Sequence, residues 1–354
     1  MPPRSAVRIG ALVPLSRPGW VEAGRHLLAG LELGVEEANG TGVGPIELVV
    51  HDTAADPQRA IGAVEELAAA GVVALAGEYH SVVARAVAAR AHALELPFLC
   101  SSAVLDALID EPTPWVARLA PPQSRGWASF ADFLLAAGHR RIAVAAQPSV
   151  YWSAGIRILR AALAPAGGTV LEVDGSAPTA VADGVDAGSA TALLLLVGHP
   201  ELAGPIVHAM RADPRLRDVL IGAPAGQPEL ADWVTSLGGA GTGVPFLRYL
   251  PPRLGPRGVR VEAALRRRLG APPSFVAFEG YDTIAVLAEL LRTHGPERSA
   301  IAAGWPDVAV DGSRGTITFE RLPGIGPWQW PSAPIQVVDR DPAAPERIRV
   351  LHQA

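Results

Sequence analysis

Residues 77–87 read GEYHSVVARAV, and their reading decides the fold. The apolar run VVALAG (Val72–Gly77) leads in, and an Ala-rich segment without Gly or Pro follows as far as Pro97. A buried strand therefore ends at Gly77 and a helix begins near Ser81. The polar cluster Glu78-Tyr79-His80-Ser81 sits at their junction. Strand ends that feed helix N-termini are where open α/β sheets hold ligands.

The same alternation extends in both directions. Upstream, Val7–Leu15 reads as a buried strand and Ala23–Ala38 as a helix, with Leu27, Leu28, Leu31 and Val35 near helical spacing and Asn39-Gly40 as its stop. Ile46–His51 reads as a second strand. Asp56-Pro57 supplies an N-cap and a first-turn proline for a helix reaching Ala70. Downstream, Ser81–Leu94 is a helix and Pro97–Cys100 a strand. A βαβαβαβ series of this kind implies a parallel sheet with helices on both faces.

After a break at ARLAPPQ (near 118–123) the pattern restarts. Helices are expected over Trp127–Ala137, Trp152–Leu163 and Pro200–Arg211. Strands are expected over Arg141–Ala146, Gly168–Val173, Ala192–Val197 and Val219–Gly222. Further helices follow at Val259–Leu269 and Phe275–Arg292. DGSRGTITFE reads as a hairpin turning at Asp311-Gly312, and Ala333–Val338 and Arg347–Leu351 as late strands. The fold class is α/β, with two architecturally similar units.

Bulk composition agrees and excludes several functions. The 354 residues suit two domains rather than one core. With 49% hydrophobic and 18% charged residues the chain is a folded one. Every basic residue is Arg, so Schiff-base and P-loop lysines are excluded. The net charge of −5 suits no nucleic-acid partner. Cys100 stands alone, so no internal disulfide forms. No transmembrane segment is expected: runs such as TALLLLVG fall far short of about 20 apolar residues. The N-terminus enters VRIGALVPL without a long apolar h-region, so the chain as written is expected to be cytoplasmic. It is extracytoplasmic if a signal was trimmed or the start lies upstream.

No GxSxG, HExxH or P-loop is present, and no enzyme activity or cofactor is expected. His51-Asp52 and His80 fall at neighbouring strand ends, yet HxH, HxxxH and Cys-rich spacings are missing, so no metal site is expected. Arg266-Arg267-Arg268 reads as a solvated helix face. Nothing near Cys100 in sequence marks an activated thiolate.

Taken in order, IGALVPLS, GLELGVEEAN, ELVVHDTAADPQRA, GEYHS, EGYDTIAVLAELL and GTITFE resemble the type I periplasmic binding proteins. The resemblance is to the branched-chain amino acid (Leu/Ile/Val) branch of ABC-transporter solute-binding proteins. It spans about residues 7 to 340 and rests on order and spacing rather than on any one motif. It implies two Rossmann-like lobes with parallel central sheets, joined by three crossovers near Arg118–Ala120, Arg248–Leu250 and Trp328–Pro331. Lobe I would then comprise 1–118 plus 251–329, and lobe II 119–250 plus 330–354. The family closes on its ligand by a Venus-flytrap hinge motion.

The resemblance also assigns residues. Ser81 matches the serine that holds the ligand α-carboxylate, aided by the helix dipole. Ser102 matches a backbone carbonyl for the ammonium group, and Val104 stands where a hydroxyl residue is usual. Tyr151 matches the tyrosine of the second lobe, and Gly198 or His199 a second aromatic. IGAPAGQPE lacks the acid that pairs the ammonium: Glu229 is several residues late, and Glu78 is a substitute. Beyond the resemblance, Trp20, Tyr79, Trp127 and Trp152 are candidates to line the cleft, since pockets favour aromatics; Tyr79 and His80 are either junction-loop residues or ligand contacts, Trp152 better suits lobe packing, Tyr281 falls near the cleft wall, and Asp282 caps or pairs. In some relatives a cysteine at the place of His80 bridges to the loop after strand two, a link that His80 and Thr53 cannot form.

The expected function is a non-catalytic binding protein for an amino acid or a related carboxylate or amide. Its partner is an ABC permease, or a regulatory protein if the chain is a cytoplasmic sensor.

Overall fold

The computed structural model describes residues 6–40, 44–175 and 177–353. Its internal contacts gather into two compact units, Met1–Pro122 with Arg253–Pro334, and Gln123–Pro252 with Ile335–Ala354.

Unit one begins with β1 (Val7–Val13), α1 (Val21–Gly40), β2 (Ile46–Asp52), α2 (Pro57–Ala69), β3 (Ala74–Gly77), α3 (Ser81–Ala93), β4 (Phe98–Cys100) and β5 (Val116–Arg118). All pairings are parallel, in the order β5-β4-β3-β1-β2. Asp56 caps α2 as its sequence dictates, accepting from the Gln58 and Arg59 N–H groups ahead of Pro57. The strand order reverses between β1 and β3, so the carboxyl ends of these two strands form the switch-point crevice. Gly77 ends β3 there with φ +117°, and a Cβ on it would stand 2.0 Å from the Leu12 carbonyl oxygen. Only glycine satisfies both demands.

Unit two holds α4 (Gln123–Ala136), β6 (Arg141–Ala146), α5 (Val150–Leu163), β7 (Thr169–Val173), α6 (Pro178–Ala187), β8 (Ala192–Leu196), α7 (Pro200–Ala212), β9 (Leu220–Gly222), α8 (Ala231–Leu237) and β10 (Phe246–Arg248). Its parallel sheet runs β7-β6-β8-β9, with the switch point between β6 and β8. Helix α4 starts four residues before the sequence reading placed it, directly after Pro121-Pro122. Helix α6 was not expected, because PTAVADGVDA has weak helix formers. Burial of Val181, Ala182 and Val185 against the sheet overrides that weakness.

The chain returns to unit one with α9 (Pro256–Leu269), α10 (Phe275–His294), α11 (Arg298–Ala303), the short hairpin β11 (Val310–Asp311) and β12 (Thr316–Ile317), and β13 (Trp328–Gln329), which pairs parallel with β5. Helix α10 packs backbone to backbone on α1: a Cβ at Gly30 would meet the Ala277 carbonyl at 2.0 Å, and one at Gly280 the Leu27 carbonyl at 2.3 Å. β14 (Gln336–Asp341) and β15 (Ala344–Gln353) finish unit two, forming an antiparallel sheet β10-β14-β15.

Candidate ligand site

At the carboxyl edge of unit one, Glu78 is fully buried and accepts three hydrogen bonds from within the chain. Its Oε2 accepts the Thr53 hydroxyl at 2.6 Å. Its Oε1 accepts the backbone N–H groups of Tyr79 at 2.8 Å and His80 at 2.9 Å, and lies 3.5 Å from His80 Nδ1. Glu78 is thus a structural carboxylate. The Thr53 partner across these two loops is Glu78, not His80, and a hydrogen bond joins them.

Ser81 is the first residue of α3, and the preceding His80 makes no side-chain cap. The first turn therefore keeps N–H groups and a positive dipole end at the edge. The loop after β4 folds over it. Ser101 donates its N–H to the Gly77 carbonyl at 2.7 Å, its Oγ accepts from Gly77 N–H at 3.2 Å, and it lies 2.8 Å from Thr283 Oγ1. Leu105 N–H reaches the Ser81 hydroxyl at 3.4 Å, and the buried Arg118 fixes this turn by donating to the Leu105 carbonyl at 2.6 Å and to Gln329 Oε1 at 2.7 Å. Ser102 is buried in the same loop, and its hydroxyl has no hydrogen-bond partner among the described residues. Ser81, Ser102, Tyr79 and His80 are thereby brought to one edge. Tyr79 and His80 are half-buried with their rings edge to face at 5.2 Å.

Trp20 is buried in the loop that leaves β1 at this edge. Asp52 shapes that loop, accepting from Leu15, Ser16 and Ala54 N–H groups and from the Ser16 hydroxyl. Burial alone would raise the Asp52 carboxyl, but the hydrogen bonds of Ser16, Ala54 and Leu15 and the Arg59 charge together hold it below its ordinary range. Val104 is buried as an apolar residue. Burial pushes the Cys100 thiol up to about 12, so it is not a thiolate at neutral pH.

Tyr281 does not join this cluster. Its hydroxyl donates to Glu37 Oε2 at 2.7 Å, and burial first, with that bond, raises the phenol. Helix α1 starts at the carboxyl edge and Glu37 lies sixteen residues along it from Val21, about 24 Å away at 1.5 Å per residue. Tyr281 instead lines a separate cavity of about 280 Å³ with Glu37, Arg257 and Asp311. Asp282 pairs, as its sequence setting suggested: it accepts from Arg314 Nε at 2.8 Å and from Ser313 N–H at 2.6 Å. Arg268 is no free solvated charge, since it reaches Glu32 at 2.7 Å and also Glu36. Among the described residues, no group of three His, Cys, Asp or Glu is placed to hold a metal ion, and no helix is long and apolar enough to cross a membrane.

Unit two offers a second edge. Ser149 caps α5 by accepting from Tyr151 N–H at 3.1 Å. Tyr151 lies edge to face with Trp127 (6.1 Å) and Trp152 (4.6 Å). Both tryptophans are buried, and Trp127 fills the space above Gly155, where a Cβ would approach its ring to 2.2 Å. His199 stands immediately before α7 across the switch point, where Gln147 Oε1 accepts Gly198 N–H at 2.8 Å. A cavity of about 550 Å³ adjoins it, lined by Gln147, Pro148, Asp174, Val197, Glu201 and Leu202 among others. The acid at 229 is engaged elsewhere, accepting from Arg248 Nε at 3.1 Å. Sequence reading missed Gln123, whose side-chain Nε2 donates to the Tyr151 carbonyl at 2.9 Å. The Pro121-Pro122 pair just before it masked the helix start that would have placed it.

Residues 6–324 match the family described as periplasmic binding protein. Solved structures share the fold. A branched-chain amino acid transporter substrate binding protein, LivJ, from Streptococcus pneumoniae, in complex with isoleucine, superposes with a TM-score of 0.83 at 15% identity, over 99% of this chain and 100% of that one. An ABC transporter solute binding protein from R. palustris, in complex with benzoate, gives 0.80 at 17% identity over 99% and 96%. One from Rhodopseudomonas palustris BisB5, in complex with 3,4-dihydroxybenzoic acid, gives 0.78 at 19% identity over 94% and 93%. A search of curated protein sequences finds no match.

Proposed function

The chain belongs to the periplasmic binding protein family, and from that premise we propose that it is a non-catalytic solute-binding protein for a small carboxylate without an ammonium group. One observation carries this reading. Glu78, the only acid in the Gly77–Ser81 turn, is tied into the fold by Thr53, Tyr79 and His80, and the Ala223–Gly226 segment after β9 has no acid at all. An ammonium enclosed without a counter-charge is costly. A carboxylate meets the opposite situation: the open N-terminus of α3, the Ser81 hydroxyl and the buried Ser102 hydroxyl all favour an anion. That the similar structures hold isoleucine in one case and aromatic carboxylates in two others supports a carboxylate as the shared element. Delivery to an ABC permease is the proposed role.

A second reading, an amino acid, is favoured by Asp174 and Glu201, the acids lining the unit-two cavity. Titration calorimetry against branched-chain and aromatic amino acids, their deaminated acids and their amides separates the two. Deaminated acids are expected to bind at least a hundredfold tighter than the matching amino acids. Equal or tighter binding of the amino acids sinks the first reading.

A further inference from the structure

One buried guanidinium joins the ligand edge of unit one to the two segments by which the chain leaves that unit. Arg118 ends β5 and Gln329 ends β13; they are register partners on adjacent parallel strands, and both are fully enclosed. Arg118 Nε donates to Gln329 Oε1 at 2.7 Å, and Gln329 Nε2 donates onward to the carbonyls of Ala120 at 2.8 Å and Trp330 at 3.1 Å. Residues 119–122 lead from β5 to Gln123, where unit two begins, and residues 330–334 lead from β13 to Ile335, where it resumes. The other arm of the same guanidinium, Nη1, donates to the Leu105 carbonyl at 2.6 Å. Leu105 N–H in turn reaches the Ser81 hydroxyl at 3.4 Å, and Ser102 is carried on the same loop.

Enclosing a guanidinium is unfavourable, and an apolar side chain of similar volume would fill the space more readily. What an apolar side chain cannot do is hold acceptors on two separate segments at once, which the planar fork of arginine does. We infer that Arg118 is a positioning residue for the ligand edge: it sets the loop from Ser101 to Leu105 against the first turn of α3, and it passes the state of Ser81, through Leu105 and Gln329, to residues 119–122 and 330–334. This rests on the carboxylate reading above and adds to it a residue that touches no ligand. Leu105 N–H uses the Ser81 oxygen as an acceptor and leaves its proton for a carboxylate, so the two bonds reinforce one another. Every link in the series is a hydrogen bond within unit one.

The test is a double-mutant cycle in ligand affinity, read by calorimetric titration of the intact protein with benzoate and with 4-methylpentanoate. Arg118→Met removes the fork, and Ser81→Ala removes the hydroxyl. Each is expected to weaken the tighter acid about tenfold, the worth of one hydrogen bond to a charged group. The double variant is expected to bind no more weakly than the weaker single, because both substitutions break one series. Losses that multiply, or an unchanged affinity in Arg118→Met, overturn the inference alone. Hydrogen exchange gives a second readout that a merely structural role would not move. In the parent, the bound acid is expected to slow exchange in residues 101–105, 119–120 and 330. In Gln329→Leu the slowing is expected to persist in residues 101–105 and to disappear from 119–120 and 330. This variant keeps the Arg118 bond to Leu105, so it decides even where Arg118→Met does not fold. Exchange at 119–120 and 330 that ignores the acid in the parent overturns the relay. Absence of binding by both acids overturns the carboxylate reading and this inference with it.

Discussion

The Thr53 hydroxyl donates to Glu78 Oε2 at 2.6 Å, with the carboxylate fully enclosed. Strands β2 and β3 flank β1, so this one bond ties the loops on either side of the central strand, beside the N-terminus of α3. Thr53→Val keeps the shape and removes the donor, leaving one oxygen of a buried carboxylate short of a partner. A loss of about 1–3 kcal/mol is expected by chemical denaturation. A variant as stable as the parent would show that Tyr79 and His80 N–H groups suffice.

Gly155 and Trp127 make a second coupled pair. Gly155→Ala places a methyl group 2.2 Å from a ring that is buried on every side, so the indole must move. Overpacking of this kind costs about 1–3 kcal/mol. Because Tyr151 lies against the same ring, the substitution is also expected to weaken ligand binding, whereas Gly62→Ala, on an open helix position of unit one, should not. Calorimetry on both variants checks this; unchanged affinity in Gly155→Ala would detach Tyr151 from its support.

How far the sequence could be read follows from where the controlling forces lie. The βα alternation of unit one, the α2 cap at Asp56 and the α10 helix were legible because each is written in local periodicity or capping chemistry. Ser81 was legible at the start of α3 for the same reason. Helix α6 was not, since its stability comes from burial of Val181 and Val185 rather than from propensity. Tyr281 was misplaced because its helix offers a buried side to α1 along its whole length, and sequence alone does not say which end of α1 it meets. The commitment of Glu78 to Thr53, and of Glu229 to Arg248, joins residues 25 and 19 positions apart, beyond any local pattern.

Arg314 holds the largest buried charge cluster described in unit one. It meets Asp282 at 2.8 Å and Glu279 at 3.3 Å, all three side chains fully enclosed, and its guanidinium lies 5.1 Å from the centre of the Trp330 ring. Arg314→Met removes the cation and strands two carboxylates, so a loss of about 3–5 kcal/mol is expected. Asp282→Asn together with Glu279→Gln should recover part of it in the Arg314→Met background, because no uncompensated charge remains. Urea unfolding of the single and triple variants decides; a triple variant no more stable than the single one would mean that packing against Trp330, not charge, dominates.

The acid limb of stability has an identifiable source in His26. This residue is buried in α1, where its Nδ1 accepts the Ser274 N–H at 3.1 Å and meets Ser274 Oγ at 2.8 Å, and burial lowers its pKa to about 4. The Nδ1 lone pair is used in the fold, so protonation both buries a charge and loses the Ser274 acceptor. The unfolded chain, with an ordinary imidazole near 6.5, takes up the proton first. Stability from this group is therefore complete above about pH 6.5 and falls as the pH drops toward 4, at about 1.4 kcal/mol per unit, some 3 kcal/mol in all. Below the folded pKa both states are protonated and the slope ends. His26→Asn retains an acceptor for Ser274 N–H without a titrating ring. Its urea midpoint is expected to change far less between pH 7 and pH 4.5 than that of the parent, and to exceed the parent's at the lower pH. Parallel pH profiles for the two proteins would assign the acid limb to other groups.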